Sequence, residues 1–151
     1  MTKKRTQEPW MAADEYGRQL PQFSVNLIVA DVSRSVAFYK NVLHTKQVYS
    51  DVDFAALEVS GLKFMLHADH TYNHHPWYAR LVQTPRRGLG AELRLFGVNP
   101  DDVEARAKQH GARLLQPATD KPHGWRDVIV EDPDGYAWAV GLPTAKNATR
   151  A

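Results

Sequence analysis

Histidine moves protons and holds transition metals near neutral pH, and four of the seven histidines here, His67, His70, His74 and His75, fall within nine residues, with His123 further along. The run reads His-x2-His-x3-His-His, lies mostly on a loop and contains one acid, Asp69. No preorganised metal site follows from that spacing, and polar loop histidines with one or two lining a pocket are the simpler reading. Glu92 and Arg94 supply an acceptor and a fork of donors on one wall, or else pair with one another. From 68 to 88 runs a stretch of 21 residues holding Tyr72, Trp77, Tyr78, Arg80, Arg86 and Arg87. Ordinary connections have about 4 to 6 residues, so a lid or binding loop is expected. Its rings and guanidinium groups can stack on a planar ligand, or they cover an edge of the fold or a partner subunit. In Lys121-Pro122-His123-Gly124-Trp125-Arg126, Trp125 is a candidate pocket wall and Arg126 a candidate ion pair. The absence of cysteine removes disulfides, thiolate ligands and a Cys nucleophile. No Ser-His-Asp order, Gly-rich phosphate loop or paired catalytic carboxylate can be assembled.

These groups need a scaffold. Over residues 23–30, Val25, Leu27 and Val29 alternate with Ser24, Asn26 and Ile28, the pattern of a strand with one face in a core. Asp31 and Ser33 can both cap a helix, and Val32, Val36, Tyr39 and Leu43 then recur at helical spacing, with Phe38 and Val42 widening the stripe. Short strands are expected at 47–50, 54–59 and 62–67, the last two joined by Ser60-Gly61. The second half repeats the order. A strand over 91–98 precedes a helix that starts at Asn99-Pro100-Asp101-Asp102 and stops at Gly111. Strands at 113–116, 125–131 and 136–140 follow, the last two turned by Asp132-Pro133-Asp134-Gly135. Gly61 lies 30 residues after Asp31 and Gly135 lies 33 after Asp102, so the halves read as repeated βαβββ units. Residues 1–21 are expected to be a partly flexible N-terminal extension, in which Trp10, Met11, Tyr16 and Leu20 can dock as a helical turn before Pro21. The domain proper spans 22–143, and 144–151 form a C-terminal tail.

The bulk properties exclude several classes. A chain of 151 residues with 43% hydrophobic and 24% charged residues has the make-up of one globular domain. Net charge is +2 and the basic residues are scattered, unlike a nucleic-acid footprint, and Lys3-Lys4-Arg5 reads as a solvated tail. No apolar run approaches the roughly 20 residues of a membrane span, and the basic start lacks an apolar h-region, so a cytoplasmic protein is expected.

Ser35-Val36-Ala37-Phe38-Tyr39 in the first helix and Asp132-Pro133-Asp134-Gly135-Tyr136 before the last strand, set in paired βαβββ units, resemble the vicinal oxygen chelate superfamily, the glyoxalase and bleomycin-resistance proteins, over residues 23–142. The resemblance implies an α+β fold in which two βαβββ modules, 23–67 and 90–141, form an incompletely closed eight-stranded barrel. Its concave face would hold the ligand, commonly in a homodimer. Two departures bear on local structure: Leu43-His44 stands where the family usually has Leu-Gly, and 97–101 is longer than usual. Enzymes of the superfamily hold a divalent metal with His, Gln or Glu side chains of the inner strands. The corresponding slots here carry Ser24, Met65 and Ala139, and only Glu92 offers a ligand. No metal at the usual position and no other cofactor are therefore expected, with His67, Glu92 and His123 as an unconventional alternative set.

Alternation turns Ser24, Asn26, Ile28, Ala137 and Ala139 toward the cavity along with the polar candidates. The ligand-binding candidates are Asn26, Met65, His67, Tyr72, Trp77, Glu92, Arg94, Phe96, His123 and Trp125. Apolar walls with a few convergent polar groups are what a small-molecule site needs. The expected function is binding or sequestration of a planar or aromatic compound, as in antibiotic-resistance relatives of the bleomycin type. A metal-dependent lyase, isomerase or dioxygenase is the alternative, and a metal-free enzyme with His67 as general base is a third.

Overall fold

In the computed structural model, residues 3–145 are described, and the chain divides into two compact units, Met1–Pro85 and Arg86–Ala151. The first two residues of the expected extension and residues 146–151 of the expected tail lie outside the described residues.

The first unit contains α1 (Ala13–Arg18), β1 (Val25–Val29), α2 (Val32–Val42), β2 (Lys46–Ser50), β3 (Phe54–Val59) and β4 (Leu62–Ala68). A 3₁₀ turn at Asp69–Tyr72 and α3 (Tyr78–Val82) follow. Its sheet runs β1-β4-β3-β2, with β1 parallel to β4 and the other pairs antiparallel. A parallel pair needs a crossover, and α2 is part of it. Of the two candidate caps, Asp31 closes the start of α2, its carboxylate accepting from the Arg34 N–H at 2.9 Å. Val32, Val36, Tyr39 and Val42 are buried, as their spacing requires, together with Leu27, Val29, Phe64 and Leu66. At Leu43-His44 the departure resolves simply. His44 adopts φ 54, the left-handed conformation that glycine takes most readily. Ser60 and Gly61 are both left-handed (φ 49 and 76), as a two-residue hairpin of the primed kind demands.

The second unit has the same order: β5 (Glu92–Phe96), α4 (Pro100–Gln109), β6 (Arg113–Asp120), β7 (Trp125–Glu131) and β8 (Ala137–Pro143). Its sheet runs β5-β8-β7-β6, again with the first pair parallel. Asn99 caps α4 through the Asp101 N–H at 2.9 Å, with Pro100 in the first turn. Leu95, Val103, Ala107, Val128, Val130, Trp138 and Val140 make its core. β6 runs four residues beyond the expected 116, through Pro117, and β8 runs to 143 rather than 140. Proline is tolerated because β6 is an edge strand, and its register with β7 shifts there. The turn before β8 is held by Asp132, whose carboxylate accepts from the N–H groups of Asp134 and Tyr136, both at 2.9 Å. Two βαβββ modules with matching strand orders are thus the architecture. The 68–88 stretch is not structureless, since it carries the 3₁₀ turn and α3. No helix among the described residues is long and apolar enough to cross a membrane.

Candidate functional site

On the first sheet, β-strand alternation sends Phe64 and Leu66 into the core with α2 and leaves Met65 and His67 on the other face. That face carries a cavity of about 340 Å³. Six of its fifteen lining residues come from the sheet, its β2–β3 turn and the 3₁₀ turn after it: Tyr49, Asp53, Phe54, Met65, His67 and Thr71. The other nine come from the N-terminal segment. Trp10 stacks on Tyr49 (centroids 5.3 Å apart), and Tyr16 of α1 meets Phe54 edge-on at 5.2 Å. Met11, Ala13 and Leu20 extend the apolar wall.

Charge ties this segment to the sheet. Arg5 Nη1 donates to Asp51 at 3.0 Å, and the Lys4 N–H donates to Asp53 at 2.9 Å. Asp53 is 1% exposed and also meets His70 Nε2 at 2.6 Å. Burial pushes its carboxyl up, but the bonds from His70 and from the Lys4 and Arg5 N–H groups outweigh that and hold it below the usual range. Asp51 behaves alike. Burial raises it, while Tyr49, Arg5 and the N–H groups of Asp53 and Phe54 bring it down. The Tyr49 hydroxyl, donating to Asp51 at 2.7 Å, is correspondingly pushed up, first by that hydrogen bond and then by burial.

His67 is the polar group at the centre of the wall. Its Nδ1 lies 2.7 Å from Asn26 Oδ1, and Asn26 Nδ2 donates to the Tyr72 hydroxyl at 2.6 Å. The parallel pairing of β1 with β4 brings the two strands together, and the 3₁₀ turn brings Tyr72 over them. Burial, then the nearby charges of Lys3 and Arg5, depress the imidazole to about 4 against a partial counter-effect of Asp51 and Asp53, so the ring is neutral at physiological pH.

Of the candidates named from the sequence, Met65 and His67 line this cavity, and Asn26 and Tyr72 hold His67. Trp77 stacks on Tyr72 at 5.5 Å and packs against His75 at 4.1 Å, outside the lining. The remaining candidates sit in the second unit. Arg94 pairs with Glu92 at 2.5 Å, lies 5.3 Å from the centroid of Phe96, and approaches Asp127 at 3.8 Å. Phe96 meets Trp125 at 4.7 Å and stays half exposed. His123 is exposed in the β6–β7 turn. Arg126 forms ion pairs with Asp101 and Asp120. In the long connection, Arg86 and Arg87 reach Glu131 and Asp134 of their own unit. Sequence reading did not assign Arg5, Trp10, Tyr16, Tyr49 or Phe54 to a site. The one available signal was the apolar density of residues 10–20.

The family model described as Glyoxalase/Bleomycin resistance protein/Dioxygenase superfamily matches residues 22–140. No curated protein sequence matches the chain significantly. Among solved structures, a glyoxalase-related enzyme from Fulvimarina pelagi is similar at 23% identity with a TM-score of 0.65, covering 82% of this chain and 88% of that one. TioX from Micromonospora sp. ML1 is similar at 21% identity and TM-score 0.60, covering 82% and 98%. The genomically encoded fosfomycin resistance protein FosX from Listeria monocytogenes is similar at 17% identity and TM-score 0.62, covering 83% and 95%. At such identities the likeness is one of fold.

Proposed function

The chain belongs to the glyoxalase/bleomycin resistance protein/dioxygenase superfamily, and from that premise we propose that it binds a small planar or aromatic molecule in the cavity between its N-terminal segment and its first sheet, binding itself being the activity. The observation that carries this is the lining, in which Trp10, Tyr16, Tyr49 and Phe54 surround few polar groups. Rings presented from several directions suit a flat apolar body, and isolated polar groups orient it. The physiological reading is sequestration of a toxic or antibiotic-like compound, a role in keeping with the fosfomycin resistance protein among the structural relatives. A homodimer in the cytoplasm belongs to the same reading, and light scattering of the purified protein tests its stoichiometry.

The metal that the fold family implies does not fit these residues. Ser24, Met65 and Ala139 occupy the usual ligand positions, and neither a thioether nor a methyl group is a ligand of choice for a hard divalent ion. His67 offers one nitrogen, while the Asp53 carboxylate is engaged by His70 and two backbone N–H groups. Among the described residues no group of three or more His, Asp or Glu is gathered so as to hold a metal ion. In the alternative set of His67, Glu92 and His123, Glu92 is committed to Arg94 and His123 stands exposed in a turn. No chemical step is therefore assigned to a metal.

Isothermal titration against a panel of planar aromatic antibiotics and metabolites tests the proposal. Micromolar affinity, about 8 kcal/mol, is expected for the fitting members, unchanged by EDTA and weakened at least tenfold in Trp10→Ala. Absence of any binding below millimolar across the panel overturns it, as does binding that requires an added divalent metal.

A further inference from the structure

We infer that the occupant of this cavity is an aromatic compound that donates a hydrogen bond from a ring N–H or a phenolic O–H to His67 Nε2, and that Asn26 is the positioning residue that sets this preference. The inference rests on the binding reading above and names its ligand class.

A chain of donors and acceptors fixes the chemistry. Asn26 donates through Nδ2 to the Tyr72 hydroxyl, which leaves Oδ1 facing His67 Nδ1 at 2.7 Å. A carboxamide oxygen can only accept, so the Nδ1 of a neutral imidazole must carry the proton. A neutral ring has a single proton, and Nε2 is then a bare acceptor. Burial and the positive groups Lys3 and Arg5 keep the second proton off. His67 is part of the cavity lining, and its ring neighbours are Phe54, tilted against it at 4.9 Å, and Tyr72, edge-on at 5.4 Å. A flat ligand seated among Trp10, Tyr16 and Phe54 therefore meets one directional polar demand from His67, and that demand is for a donor. An occupant lacking one leaves a desolvated nitrogen unpaired, which discriminates more strongly than the bond itself attracts. The opposite orientation of the Asn26 amide would reverse everything: Nδ2 would donate to Nδ1, Nε2 would carry the proton, and the cavity would prefer acceptors.

Matched pairs of probes read the polarity directly. Indole is titrated against N-methylindole, and 2-naphthol against 2-methoxynaphthalene, with full-length protein followed by calorimetry. The donor member of each pair is expected to bind about tenfold more tightly. In Asn26→Leu, which frees the tautomer while keeping the ring, the ratio should fall toward unity. His67→Leu should abolish the ratio as well. Equal binding within both pairs, or tighter binding of the methylated members, overturns the inference and leaves the binding reading intact. Absence of binding by all four probes and by the wider panel overturns both.

Discussion

Replacing His67 by Gln should flatten the acid side of the stability profile. Gln can still hydrogen-bond to Asn26, yet it does not titrate. In the folded chain the imidazole is depressed from 6.5 to about 4 by burial and by Lys3 and Arg5. The unfolded chain takes up this proton as pH falls through 6.5, whereas the folded chain refuses it until about 4. Between those values the unfolded state binds more protons, so wild-type stability declines as pH drops through that window. The full difference of about 2.5 units corresponds to roughly 3 kcal/mol, and the part lost between pH 7 and pH 5 is about 2 kcal/mol. Solvent reaching the ring reduces it, so 1 to 2 kcal/mol is the expected size. The other histidines are present in both proteins and cancel in the comparison. Urea unfolding of wild type and His67→Gln at the two pH values measures the quantity, read as the difference of differences. Parallel profiles, agreeing within about 0.5 kcal/mol, would refute the argument that burial depresses the ring.

Asp53→Asn should cost about 2 to 4 kcal/mol, because a buried carboxylate that accepts from His70 and two backbone N–H groups is replaced by an amide that keeps one acceptor oxygen and turns a donor toward the partner of the other; limited proteolysis within residues 3–12 should accelerate in step with the loss in urea unfolding. His44→Gly should raise stability by about 1 kcal/mol, since glycine occupies the left-handed region without the penalty of a β-carbon; an unchanged urea midpoint would count against that account. Gly135→Ala should be severely destabilising or insoluble, because its new β-carbon would lie 2.6 Å from Arg86 Cα, backbone that cannot swing aside, at a φ of 91; thermal unfolding of any soluble fraction measures it.

Periodicity carried the scaffold. Val32, Val36, Tyr39 and Val42 bury at the spacing that predicts α2, and the Asp31 and Asn99 caps stand where residue chemistry places them. Strand ends were less legible. β6 passes through Pro117 because an edge position spares it the missing N–H, and edge status is a property of topology that local sequence does not encode. The site divides in the same manner. Alternation put Asn26, Met65 and His67 on one face of the sheet, since face is a local property. Their hydrogen-bonded relation depends on β1 lying beside β4, 41 residues away. Arg5 with Asp51 and Lys4 with Asp53 join positions 46 and 49 residues apart, and nothing in a basic tripeptide announces which acids it will meet. The N-terminal wall was therefore visible as docking potential, in Trp10, Met11, Tyr16 and Leu20, without an address.

The split origin of the lining gives the protein a division of labour. The sheet is a rigid floor, its side chains locked by strand pairing and by a core on the reverse side, so few substitutions there are free of a folding cost. Residues 9–20 act as a roof laid over it and share none of that core. On the binding function proposed above, selectivity would drift by altering the roof alone with His67 left in place, and a graft of foreign roof sequences onto this floor would give binders with new tastes.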